Sequence, residues 1–134
     1  METLNELPLW SRLLAVATGG AAGAVCRYLV SDWMARITHP SAFPAGTLTV
    51  NILGSFLIGL LMGWGDGQRW VSPLARALIG TGFLGALTTF STFSYETLDA
   101  FRAGDSRIAL LSIAANLAGA LAGCWLGLEA GSRL

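Results

Sequence analysis

The segment from residue 80 to residue 96 concentrates groups that could contact an ion inside an apolar chain. It reads GTGFLGALTTFSTFSYE, with three glycines, six serine or threonine hydroxyls and three phenylalanines. Backbone amides and carbonyls freed by a break in a helix are costly in hydrocarbon, so irregular backbone at membrane depth is found only where protein or a water-filled path surrounds it. We therefore interpret this segment as a site for ions.

Glycine and β-branched residues predict where the segment breaks. Ser72 followed by Pro73 is typical of a helix start. The glycines from residue 80 onwards weaken that helix, and the adjacent threonines Thr88 and Thr89 weaken it further. We expect a break between about Gly82 and Thr89. Such a break would expose carbonyl oxygens, which are ligands for a hard cation, and amides and hydroxyls that could face an anion.

Phenylalanine rings and hydroxyls follow the break. Phe90 and Phe93 lie three residues apart and share one face of a helix that starts near Phe90. An aromatic ring has a positive edge, which can stabilise an anion in a narrow path, although ordinary packing would explain the same spacing. The hydroxyls around the two rings could replace the water that an anion sheds; they belong to Ser91, Thr92 and Ser94. Glu96, one turn beyond Phe93, either caps a mouth of the path or extends to the membrane surface.

Two other stretches each carry a polar edge on an otherwise apolar helix. Thr47, Asn51 and Ser55 recur every four residues, and Ser112 and Asn116 lie one turn apart. A buried Asn must find partners for its amide, and an interhelical hydrogen bond would satisfy it. Each edge therefore indicates either a polar seam between helices or the lining of a pore. Two such edges in one chain favour a shared polar track.

Composition places these elements in one small polytopic membrane protein. Of 134 residues, 54% are hydrophobic and 12% charged, which is too apolar for an ordinary soluble domain. Four stretches nearly free of charge predict four membrane-spanning helices, each supplying the ~20 residues that cross ~30 Å of hydrocarbon. The predicted fold is all-α, a single transmembrane domain comprising residues 1–134, with a broken third helix. We expect spans at about residues 11–35, 47–65, 73–101 and 107–129.

The basic residues are divided almost evenly between the two membrane faces. All eight are arginine, and the zero formal net charge indicates no nucleic-acid partner. With Arg27 inside the first span, four arginines flank one face and three the other; the four are Arg12, Arg69, Arg76 and Arg133, and the three are Arg36, Arg102 and Arg107. Orientation normally follows an excess of basic residues in cytoplasmic loops, so this balance favours insertion in both orientations. Alternatively, Arg76 belongs to the helix, or flanking lipids set the orientation.

The first span combines small residues with an intramembrane arginine. Gly19, Gly23 and Arg27 follow one another at four-residue steps. Small residues at this spacing let helix backbones approach closely in lipid. An arginine inside a span must extend to the membrane surface, pair, or line water. Arg27 therefore either extends to the surface or lies near an aqueous mouth that attracts anions.

These motifs together resemble the Fluc (CrcB) family of fluoride channels over nearly the whole chain. The matching strings are GAAGAVCR at residues 20–27, GTLTVN at 46–51 and GFLGALTTFSTFS at 82–94. The resemblance implies a multi-pass protein of the bacterial inner membrane that exports fluoride passively, with no catalysis. It also implies an antiparallel, dual-topology homodimer with two fluoride pores and a structural Na⁺ at the dimer centre.

The resemblance also assigns roles to individual residues. The Na⁺ ligands would be the backbone carbonyls of Gly85 and Thr88, while Arg27 and Glu96 would lie toward the ends of the pore. Together with the polar edges, the resemblance predicts a fluoride pore lined by Thr47, Asn51, Phe90, Ser91, Thr92, Phe93, Ser94, Ser112 and Asn116.

The fourth span departs from the family pattern, and two rival functions are considered. Ala120 and Cys124 stand where a line of hydroxyls would continue, so either a thiol and backbone suffice for the ion there, or conduction is slower than in relatives. A proton-coupled small multidrug transporter is the first rival, but it needs an acid deep in the membrane, and Glu96 lies near a span end. The second rival is a non-transporting membrane scaffold whose glycines and hydroxyls only pack helices.

Overall fold

The computed structural model describes residues 7–38, 43–65 and 72–134, and within these ranges the chain is helical with no strand. Arg69, one of the arginines assigned to a membrane face, lies outside the described residues. Helix α1 comprises Leu9–Ile37 and helix α2 Ala45–Gly65. The third span contains two helices, α3 at residues 73–87 and α4 at Phe90–Arg102, and helix α5 comprises Ser106–Gly131.

Four helical stretches in the described part are long and apolar enough to cross a membrane. They are Leu9–Ile37, Ala45–Trp64, Pro73–Arg102 and Ser106–Gly131. The expected all-helical fold with four spans and an interrupted third helix is thereby confirmed. Large exposed tryptophans lie near helix ends, as the interface between lipid and water requires; they are Trp10, Trp33, Trp64 and Trp125.

Helix α3 begins where the sequence indicates but changes its winding. The Ser72 hydroxyl accepts a hydrogen bond from the Ala75 amide at 3.1 Å, and Pro73 occupies the first turn, so the predicted helix start is confirmed. After one α-helical turn, Pro73–Arg76, the chain winds as a π-helix over Ala77–Leu84 and returns to an α-helix at Gly85–Leu87. The wide π-helical segment was not expected from the sequence.

The break itself is shorter than expected and lies at the end of the predicted range. Gly82 and Gly85 remain in helical backbone, and only Thr88 and Thr89 are extended, with φ and ψ of −79° and 153° and of −151° and 114°. The glycines do not interrupt the helix, and Gly82 packs against the α1 backbone at Val16, Gly19 and Gly20. The adjacent threonines interrupt it, since β-branched side chains favour extended backbone. Helix α4 then starts at Phe90, as predicted.

Glycine allows the helices to pack with their backbones in contact. A Cβ at Gly19 or Gly23 of α1 would collide with the carbonyls of Leu78 or Phe83 in α3, which confirms the predicted close packing of that stripe. Helices α2 and α5 also pack through glycine. Residues later in α5 contact residues later in α2. Gly123 of α5 faces the Ile52 carbonyl and Gly127 faces the Phe56 carbonyl, while Gly131 faces the Leu60 carbonyl. The two helices are therefore parallel.

Candidate ion pathway

A cavity of about 430 Å³ lies between α2, the third span and α5. Five polar residues line it: Asn51, Ser55, Thr88, Thr89 and Asn116. Its remaining lining is apolar or glycine, and includes Gly85, Phe90, Phe93, Ala120 and Leu121. The helix break and the two polar edges, which lie far apart in the sequence, therefore border one space.

Asn51 holds the broken backbone of the third span. The Thr89 amide donates to Asn51 Oδ1 at 2.8 Å, and Asn51 Nδ2 donates to the Thr89 carbonyl at 3.2 Å. In an uninterrupted helix the Thr89 amide would bond the carbonyl four residues earlier. The carboxamide of Asn51 thus replaces a bond that the break removes. A buried amide without such a partner would be costly in a membrane.

The same carboxamide joins the polar edges of α2 and α5. Asn51 Nδ2 also donates to Asn116 Oδ1 at 2.9 Å. Asn116 Nδ2 in turn donates to the Ser112 carbonyl at 3.0 Å and lies 3.5 Å from the Ser112 hydroxyl. The two edges face one another, and a continuous chain of hydrogen bonds connects Thr89, Asn51, Asn116 and Ser112. Both asparagine side chains are fully engaged in it.

Hydroxyls at the start of α4 form a second network. The Thr89 hydroxyl caps the helix by accepting from the Thr92 amide at 3.2 Å, and it donates to the Thr92 hydroxyl at 3.0 Å. The Ser91 hydroxyl lies 3.2 Å from the same Thr89 oxygen. Ser94 donates to the Phe90 carbonyl at 2.8 Å, so its proton is used within the helix. Thr89 is central to both networks, although it was predicted only as part of the break; its position one residue before the helix start is the signal for a cap.

Phe90 and Phe93 contact each other but differ in environment. Their ring centroids are 5.4 Å apart with an angle of 58° between the planes, a tilted arrangement in which the edge of one ring approaches the other. Phe93 is 7% exposed and Phe90 is 72% exposed. Both rings line the cavity. Phe93 therefore belongs to the interior of the chain, whereas Phe90 presents a large apolar surface outward.

The remaining predicted residues lie away from the cavity lining. Glu96 is half-buried near Thr47, which lies at the start of α2. One carboxylate oxygen of Glu96 and the hydroxyl of the neighbouring Thr97 are buried without a partner among the described residues. Arg27 is partly buried on α1 and does not line the cavity. The structure thus places Thr47 near Glu96 and places Arg27 apart from the polar networks.

The carbonyls of Gly85 and Thr88 are freed by the same interactions that stabilise the break. In a continuous helix they would accept from the amides of Thr89 and Thr92. Those amides donate instead to Asn51 Oδ1 and to the Thr89 hydroxyl. Carbonyl oxygens are common ligands of hard cations, so the two freed carbonyls are suitable ligands for Na⁺.

The fold and this site define a small polytopic membrane protein whose broken helix and polar networks border a partly open cavity, an architecture suited to ion passage. A family model described as "CrcB-like protein, Camphor Resistance (CrcB)" matches residues 14–128. The chain belongs to this CrcB family.

Several relatives share half of their residues with the chain. The fluoride-specific ion channels FluC of Shewanella sp. (strain ANA-3), Shewanella baltica (strain OS185) and Shewanella oneidensis are each 50% identical to it over 117 residues. The match covers 87% of this chain and 93% of each relative. The sequence-based recognition of the family is confirmed.

Proposed function

We propose that this chain is a fluoride-selective ion channel of the bacterial inner membrane that lets fluoride leave the cytoplasm passively. The observation that carries the proposal is 50% identity, over most of the chain, to fluoride-specific ion channels. The four span-capable helices support a multi-pass membrane location. Fluoride is small and strongly hydrated, so a tight path that offers hydroxyls and aromatic ring edges favours it over the larger chloride.

The predicted pore residues divide into two roles under this proposal. Phe90 and Phe93 offer ring edges in the cavity. We assign to the path beyond the cavity lining the hydroxyls of Ser91, Thr92, Ser94, Thr47 and Ser112. Asn51 and Asn116 hold the break and the facing helices in place, since their amide groups are already hydrogen-bonded within the chain. Arg27 and Glu96 lie toward the ends of the path. This division adds a supporting role to the pore-lining one that we expect from the sequence.

A structural Na⁺ and an antiparallel dimer complete the proposal. The Gly85 and Thr88 carbonyls, which lack helical donors, would hold the cation, and a bound Na⁺ would offset the partial negative charge that the break exposes. A second, inverted copy would cover the outward face of Phe90 and provide a second pore. The near balance of arginines between the membrane faces supports insertion in both orientations.

Fluoride efflux from liposomes, followed with a fluoride electrode, tests the channel proposal. We expect wild-type protein to release fluoride and not chloride or a cationic dye, and Phe90→Ile and Phe93→Ile to lower fluoride efflux strongly because both remove a ring edge. Unchanged efflux in both variants would contradict the pore assignment. Dye release driven by a proton gradient would favour the multidrug transporter, and no release at all would favour the scaffold.

Replacing Na⁺ throughout with N-methylglucamine should reduce fluoride efflux if the cation is structural. Equal efflux without Na⁺ would remove the cation from the proposal.

A further inference from the structure

Four of the five polar side chains that line the cavity have no hydrogen-bond donor left for an ion. Both Nδ2 protons of Asn51 are used, on Thr89 and Asn116. The two Nδ2 protons of Asn116 face the carbonyl and the hydroxyl of Ser112, at 3.0 and 3.5 Å. The Thr88 hydroxyl donates to the Leu84 carbonyl at 3.1 Å. The Thr89 hydroxyl donates to Thr92. An anion in this cavity could engage these side chains only by displacing bonds that hold the broken helix.

Ser55 is the exception. It lines the same cavity, and its hydroxyl has no hydrogen-bond partner among the described residues. A serine inside a helix often bonds a carbonyl one turn earlier, as Thr88, Ser94 and Thr18 do in this chain. The Ser55 proton is therefore available where the neighbouring protons are not.

The packing of α2 and α5 explains why the hydroxyl is provided by α2 at this depth. The helices run parallel, and Asn51 bonds Asn116 where their polar edges meet. One turn further along each helix, α2 presents Ser55 and α5 presents Ala120, and both residues line the cavity. The polar edge of α5 ends at Asn116, since a methyl group cannot donate. Ser55 continues the line of polar groups on the facing helix.

We propose that Ser55 donates a hydrogen bond to the fluoride ion in this cavity, at the level of Ala120, and so extends the ion path beyond Asn116. The inference rests on the proposed fluoride conduction. An anion is the fitting ligand because the unused group is a proton, and no acidic side chain is among the residues that line the cavity. Phe90 and Phe93 border the same space, so an ion held by Ser55 also lies within the cavity that the rings bound.

Removing the hydroxyl is the direct test. In the liposome assay, Ser55→Ala should lower fluoride efflux about tenfold, since a hydrogen bond to a charged group is lost. The matched control is Ser132→Ala, whose hydroxyl bonds the Glu129 carbonyl at the end of the chain. Its efflux should stay within about twofold of wild type, as for an exposed substitution. Ser55→Thr and Ser55→Val form a second pair of similar size, of which only the threonine variant should conduct well.

Moving the hydroxyl across the cavity separates ion contact from packing. Ala120→Ser introduced into the Ser55→Ala protein should recover most of the lost efflux, because the donor returns to the same level from α5. Efflux that stays low in the double variant would contradict the inference that residues 55 and 120 face the same point in the cavity. Wild-type-like efflux in Ser55→Ala, or equal efflux in the threonine and valine variants, would overturn the role of Ser55 altogether. A wild-type protein that releases no fluoride would instead contradict the proposed function, so the two failures are distinguishable.

Discussion

At the scale of single residues, the division of labour among polar groups depends on which of their protons are already used. The sequence predicts that Asn51 and Asn116 lie on polar edges, and the structure places them in direct contact at 2.9 Å. The sequence does not reveal that Asn51 also bonds the amide and the carbonyl of Thr89, because Thr89 is 38 residues away in sequence. Residue type and spacing indicate a polar site; only three-dimensional contacts separate groups that support it from groups that remain available.

Asn51→Asp tests the supporting role of this carboxamide. The aspartate keeps an acceptor for the Thr89 amide but loses both donors, so the Thr89 carbonyl and Asn116 Oδ1 would face a carboxylate. An unsatisfied buried polar group costs about 1–3 kcal/mol, and we expect a lower unfolding temperature in detergent together with loss of efflux.

Asn116→Asp is the matched control for that experiment. It introduces the same charge, yet its Oδ1 still accepts from Asn51, and only the donation to Ser112 is lost. The Ser112 carbonyl keeps the amide donor of its own helix, so the control should be more stable than Asn51→Asp. Equal stability of the two variants, or an Asn51→Asp protein as stable as wild type, would show that Asn51 does not hold the break.

At the scale of helices, the sequence predicts starts and breaks better than winding. Ser72 and Pro73 mark the beginning of α3, and Phe90 begins α4, both as expected. The break is restricted to Thr88 and Thr89, whereas the glycines before it lie in π-helical or α-helical backbone, where Gly82 packs against α1 and Gly80 against side chains of α2. Winding of this kind depends on what packs against the helix. Since π-helical turns are rare, local composition does not predict them.

Adjacent glycines in α1 provide a matched test of that packing. A Cβ at Gly19 would meet the backbone of Leu78 and of Phe83, whereas at Gly20 the nearest atom is the Gly82 carbonyl oxygen at 3.9 Å, an ordinary contact. Gly19→Ala should therefore destabilise the protein by about 1–3 kcal/mol through overpacking, and Gly20→Ala should have little effect. Thermal unfolding in detergent measures the difference. Two variants of equal stability would contradict the backbone contact between α1 and the π-helical segment.

At the scale of the whole molecule, the arginine balance argues that the chain enters the membrane in both directions. Four arginines flank one face and three the other, and an excess of this size gives almost no preference. The structure shows one chain, in which Phe90 exposes most of its surface beside the cavity. A second copy inverted in the membrane would bury that ring. The proposed inverted dimer would therefore account for insertion in both orientations and would also complete the ion path.

A single cysteine near the chain end measures orientation directly. With Cys26 and Cys124 both replaced by alanine, Ser132→Cys should react with a membrane-impermeant maleimide from each side of the membrane, in roughly equal fractions, because the arginine excess is only four against three.

Arg102→Gln and Arg107→Gln together leave one arginine on their face against four on the other, and both side chains are exposed. The doubly substituted protein should label from one side only. It should also lose fluoride efflux if inverted pairs form the channel. Labelling of the otherwise unsubstituted protein from one side alone would exclude dual topology, and full efflux from the one-sided variant would show that inverted pairing is not required for conduction.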